Sequence, residues 1–343
     1  MGPMSSAPKP DEIARDATWL AQALDPSAGL VRLVAMDRET YRLASFLDDR
    51  LLQQAVDAQI LPWQDVESAM AGEHRTDARW IFHIGHVGST LISRLIGELD
   101  GVLAVREPRL LRDLAVSPPA VRQQYMRQVP RLMSRAFEED EYSCVKATSF
   151  ASEIVSDLVP PGERALFMYA GPRNYVASIL AGENSLKELR QLEMYRNERL
   201  ASRQINLPGF RTDADRAAAA WACEMTTLES AAAAMPDRML AWADFDVMLL
   251  DMEDELARVA EFFRFGVDPG RLASILAGPL MKRYSKDQSY EYSPMLRGQL
   301  IEQELEIQGR EIQAALAMLH AAAEESPLLA RAMERGGLNV PNS

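Results

Sequence analysis

The chain has 343 residues, enough for one large α/β domain with additions or for two domains. Its 48% hydrophobic and 25% charged residues are ordinary for a globular protein, and no apolar run approaches the roughly 20 residues that span a bilayer. A formal net charge of −13 argues against a general nucleic-acid binder, which needs a basic face, yet leaves room for a small anion held by a local basic cluster. Cys144 and Cys223 are too few and too far apart for a disulfide framework or a zinc cage, and no metal site is expected. Met1 to Glu12 is polar and lacks the apolar core of a signal peptide, so cytoplasmic residence is the expectation.

Residues 10–75 read as mostly helical. Asp11 to Leu24 and Glu39 to Ala58 carry helical apolar spacing, Val31 to Val34 is a candidate short strand, and Pro26 and Pro62 punctuate them. A helical cap over residues 1–76, packed on a core, is expected from this spacing.

Trp80 to Ile84 reads as a buried strand, followed by a glycine-bracketed turn and a helix. That helix sets Leu91, Ile92, Leu95, Ile96 and Leu99 on one stripe. A strand entering a helix through small residues presents free backbone N–H groups at the positive end of the helix dipole, a terminus suited to phosphate. Gly85 and Gly88 permit close backbone approach, and Ser89 and Thr90 add hydroxyl donors. The turn lacks the lysine of the nucleotide-triphosphate loop G-x-x-x-x-G-K-[ST].

Val102 to Val105 reads as a second strand, ending in Arg106-Glu107-Pro108. Ligands of open α/β sheets lie at the carboxyl ends of strands, so Arg106 and Glu107 are expected near the turn. Helices over Pro108 to Leu114 and Pro119 to Phe137, a strand at Tyr142 to Lys146, a strand at Arg164 to Tyr169 and a helix from Asn174 to Ala181 follow. The alternation predicts an α/β, three-layer sandwich with a central parallel sheet, the core running over residues 77–295. Residues 183–213 break the rhythm and read as an inserted lid or acceptor-facing element. A helix at Asp215 to Ala234, a strand at Arg238 to Trp242, a basic loop at Lys282 to Asp287 and a long helix from Leu296 to Ala323 complete the chain, with residues 296–343 a helical extension.

The turn resembles the 5′-phosphosulfate loop of sulfotransferases, P-K-S-G-T-T-W. Gly85 takes the proline place, His86 the lysine place, Gly88 the glycine, Ser89 and Thr90 the two threonines, and Leu91 replaces the tryptophan. The resemblance continues at Ala170 to Ser178. This segment fits the family's strand followed by R-N-P-K-D-V-A-V-S, with Pro172, Val176 and Ser178 in place but Ala170 at the arginine. Trp242 to Phe263 looks like the Y-E-D-L…L…F-L region, and Arg283 and Lys286 fall where the family carries a late basic loop.

This resemblance implies a sulfotransferase using 3′-phosphoadenosine 5′-phosphosulfate (PAPS) and releasing 3′-phosphoadenosine 5′-phosphate (PAP). It assigns Gly85, Gly88, Ser89 and Thr90 to the 5′-phosphate and His86 to the bridging oxygen or sulfate. Arg173, Ser178, Arg283 and Lys286 go to the 3′-phosphate, and Glu107 serves as general base for an acceptor hydroxyl or amine. Lys146 is a weaker candidate for sulfate or base contact, and His83 reads as a core histidine. The acceptor is a small molecule or lipid-linked, and a homo-oligomer is compatible with the sequence. Two other readings stand beside it: a P-loop nucleotide kinase or ATPase, and a non-catalytic binding protein with the same fold.

Overall fold

The computed structural model describes residues 8–53, 56–282 and 294–338. Five strands form its central sheet: β4 (Arg79–His83), β5 (Val102–Arg106), β6 (Tyr142–Lys146), β7 (Arg164–Tyr169) and β8 (Met239–Asp244). They lie in the order β5-β6-β4-β7-β8, and every pairing is parallel. All residues of β4 and β5 are buried, as in strands covered on both faces; near-continuous apolar runs are the consequence. Helices flank the sheet, giving the α/β architecture that the strand–helix alternation predicts.

Contrary to the helical reading, the residues ahead of this core form a three-stranded antiparallel sheet. Its strands are β1 (Trp19–Asp25), β2 (Leu30–Ala35) and β3 (Ala58–Pro62), with β2 central. Helix there is confined to short pieces such as Pro10–Arg15 and Arg38–Leu43. The first six residues of β1 are all buried, so the strand carries no in–out alternation to set it apart from a helix. The turn from β1 to β2 is chemically explicit. Asp25 Oδ1 accepts from the amides of Ser27 (3.0 Å) and Ala28 (3.1 Å), and Gly29 supplies a φ of +64°.

Within the core, α1 (Ser89–Ile96) follows β4 and α2 (Arg109–Ala115) follows β5. The single helix expected over Pro119 to Phe137 is two short ones, Pro119–Arg122 and Val129–Met133, because Pro130 tolerates only the first turn of a helix. Next come α3 (Pro172–Leu180) and the inserted pair α4 (Glu183–Gln191) and α5 (Glu193–Ser202). The long helix α6 (Asp213–Ala234) starts at a capping box between Thr212 and Asp215. Buried ion pairs tie the insertion down: Arg196 and Arg199 of α5 both reach Glu224 of α6.

After β8, Asp244 caps α7 (Phe245–Leu250). The helix α8 (Pro294–Glu325) bends at Gln308, and α9 (Pro327–Arg335) begins at Ser326. Both cysteines are free and buried, and burial pushes each thiol up to about 12, so neither is a nucleophile near neutral pH. No helix among the described residues is long and apolar enough to cross a membrane.

Candidate active site

A cavity of about 780 Å³ opens at the carboxyl ends of β4, β5 and β6, where an open parallel sheet places its ligands. One wall is the turn from Gly85 to Thr90. Gly85, His86 and Gly88 all have left-handed φ angles, of 80°, 55° and 62°. Glycine adopts that region freely, whereas His86 holds it against the clash of its own Cβ. Strain of this kind persists where the surroundings fix it, and in this fold it lies on the cavity rim.

Gly88 caps α1 and has no side chain to offer the first-turn amides. The first backbone bond of the helix runs from Ile92 N–H to the Gly88 carbonyl at 3.0 Å, so the preceding N–H groups have no intrahelical acceptor. Ser89 and Thr90, 5% and 3% exposed, line the cavity beside them. Gly88 is also sterically required. A Cβ there would lie 2.0 Å from Cζ of the Phe245 ring, which closes the space above the turn.

The opposite wall carries ionisable side chains. Glu107 follows β5 with a φ of 53°, another strained non-glycine residue, and its carboxylate pairs with the Lys146 ammonium at the end of β6. The partner is Lys146 on the neighbouring strand, not one of the arginines beside Glu107 in the sequence. His83, at the end of β4, lies in the same group. Its Nδ1 accepts from Gly85 N–H at 3.0 Å, and its Nε2 is 3.8 Å from Glu107 Oε1. The neutral ring therefore carries its proton on the nitrogen that faces the carboxylate. His83 is buried, as a core histidine would be, but it also lines the cavity. Its position two residues before Gly85 carries no recognisable motif.

Arg106 corrects the expectation that both charged residues ending β5 face the turn. Its guanidinium points away, to the carbonyls of Tyr41 and Ala44 at the end of the helix Arg38–Leu43, and burial pushes it down to about 9. It ties that helix to the core. Alternation along β5 sends 106 to one face, and the left-handed turn at 107 brings Glu107 back to the rim.

His86 leans on the inserted helix α4. Its Nδ1 is 3.3 Å from Ser185 Oγ and its Nε2 is 3.9 Å from Glu188 Oε2. The residues 183–213 thus reach the glycine turn directly. Ser178 of α3 lines the same cavity. Arg173, one turn earlier, is exposed and is not among the cavity-lining residues. Arg283 and Lys286 lie outside the described residues. Arg297, at the start of α8, lines the cavity, and no sequence motif points to it.

No protein-family model matches the chain, and no curated protein matches it. Among solved structures it is similar to sulfotransferases. A mouse sulfotransferase complexed with PAP is 11% identical, with 77% of this chain and 90% of that one covered at a TM-score of 0.41. The sulfotransferase domain of the curacin biosynthetic pathway is 11% identical, covering 65% and 86% at 0.40. A sulfotransferase from Mycobacterium avium is 10% identical, covering 71% and 79% at 0.38.

Proposed function

We propose that the protein is a PAPS-dependent sulfotransferase acting on a hydroxyl or amine acceptor. The observation that carries this reading is the pairing of two walls in one cavity. One is an uncapped helix N-terminus behind a left-handed glycine turn, the chemistry of a phosphate cradle. The other is a strained glutamate ion-paired to lysine, the chemistry of a general base beside a fixed positive charge.

The residues suit the donor's 5′ end. Gly88 caps the helix with no side chain, so the first-turn amides of α1 meet no cap from it; the Gly85 amide is held by His83 Nδ1, and the Phe245 ring packs where a Cβ on Gly88 would lie. PAPS, when bound, supplies a sulfuryl group activated for transfer. Gly85, Gly88, Ser89 and Thr90 form the turn that holds the 5′-phosphate, and His86 stands on that turn with its ring braced by Ser185 and Glu188 of α4. Glu107 takes the proton of the acceptor hydroxyl, while the Lys146 ammonium holds its carboxylate in place.

Incubation with ³⁵S-labelled PAPS and a panel of alcohol, phenol and amine acceptors tests the reading. Label should move to at least one acceptor in the native chain and not in Glu107→Gln. Transfer that is equal in both would remove Glu107 from the reaction.

A further inference from the structure

On the wall that carries Glu107, aromatic rings and cations stand together. Phe46 is buried, with Arg50 Cζ 3.4 Å and Lys146 Nζ 5.7 Å from its ring centroid. Lys146 pairs with Glu107, so this ring borders the proposed base. Arg112 lies over Phe150, its Cζ 5.4 Å from that centroid. Phe150 belongs to the short turn Ser149–Ile154, which packs on α2, the helix that carries Arg109 and Arg112 one turn apart. All of these side chains line the cavity.

The carboxylates of this wall already have cations. Asp48 accepts from Arg50 Nε at 2.8 Å and from Arg50 Nη2 at 2.5 Å. Asp49 accepts from Arg109 Nη1 at 2.5 Å and from Arg32 Nη1 at 3.2 Å. Asp113 takes Arg109 Nε at 3.2 Å, and Glu107 takes Lys146. The Arg112 guanidinium, among the described residues, meets neither a carboxylate nor a hydrogen-bond acceptor, and it is exposed. Two residues before Phe150, Thr148 also lines the cavity, and its hydroxyl caps no N–H of the turn. An exposed arginine without a partner is ordinary on an outer surface. One that lines a cavity, on a ring that supports its plane, is placed to read a charge on what enters.

We propose that the acceptor bears an acidic group besides its reacting hydroxyl or amine, and that Arg112 binds this group while the reacting end lies at Glu107. This names a substrate class for the sulfotransferase reading and rests on it. The guanidinium fork takes two oxygens of a carboxylate, phosphate or sulfonate, and Phe46 and Phe150 flank the body of the acceptor. Arg109 does not substitute, because Asp49 and Asp113 already hold it.

Matched acceptors with ³⁵S-labelled PAPS test this: p-hydroxyphenylacetate and ω-hydroxyhexanoate, each against its methyl ester. The native chain should prefer the acid by about tenfold in kcat/KM, chiefly through KM, and added salt should shrink the preference. Arg112→Gln should bring the ratio of acid to ester close to one, and Arg112→Lys should restore part of it. Esters used as well as the acids by the native chain, or a ratio that Arg112→Gln leaves unchanged, overturn the assignment. Calorimetry with PAP on the native chain separates this failure from that of the donor reading. PAP binding without transfer to either acid overturns the acceptor class alone; no PAP binding rejects the sulfotransferase reading and the acceptor class with it.

Discussion

Glu107 and Lys146 are joined twice across the ends of neighbouring parallel strands. The Glu107 N–H donates to the Lys146 carbonyl at 2.7 Å, and the Lys146 ammonium pairs with the Glu107 carboxylate. The backbone bond sets the strained turn at 107, and the ion pair holds the side chain at the rim.

A division of labour follows from this geometry. Glu107→Gln should lower turnover by about 10²–10⁴-fold with PAP affinity unchanged, because the amide cannot accept the acceptor's proton. Lys146→Met should lower turnover as well and destabilise the fold by roughly 3 kcal/mol, since Lys146 is 1% exposed and its loss strands a carboxylate that is 15% exposed. Steady-state kinetics and urea unfolding separate the two effects. Native turnover in Glu107→Gln would contradict the assignment.

The two turn glycines should respond differently to the same change. At Gly88 a Cβ meets the Phe245 ring at 2.0 Å in a left-handed conformation, so Gly88→Ala should cost about 3 kcal/mol and abolish PAP binding. At Gly85 the same atom meets nothing within 4 Å, and Gly85→Ala should cost about 1 kcal/mol from backbone strain alone. Equal unfolding midpoints for the two variants would count against the closed turn.

Acid sensitivity should track Glu153. Burial pushes its carboxyl up, but Arg199 and Arg203 outweigh that and hold it below the ordinary 4.5. A carboxyl depressed in the folded chain contributes stability that is complete above its unfolded value and is lost as pH falls through the folded one. Glu153→Gln should therefore destabilise by about 2 kcal/mol near neutral pH, and the gap from native should close as pH falls below the ordinary 4.5 and on through the depressed folded value. A gap that does not change with pH would show that the two arginines do not act through this carboxylate.

The strand–turn–helix from Trp80 onward was legible because burial on both faces leaves continuous apolar runs, and left-handed backbone selects glycine at 85 and 88. Strand ends were legible too, so Glu107 and Lys146 reach the cavity in sequence order. The direction of Arg106 was not, because a single left-handed residue at 107 decides which side chain returns to the rim. The N-terminal sheet was hidden by the uniform burial of β1. Arg297 was hidden for a different reason. Its place in the cavity wall depends on α8 packing beside α3, a contact between segments 123 residues apart, counted from Asn174 to Arg297, that no local spacing encodes.

The central claim is that the turn from Gly85 to Thr90 grips a doubly phosphorylated adenine nucleotide. Titration of the native chain with PAP in metal-free buffer tests it most directly. One site of about micromolar affinity is predicted, because charge-assisted bonds from amides, hydroxyls and arginine need no metal bridge. No heat with PAP, together with binding of magnesium–ATP, would contradict the account.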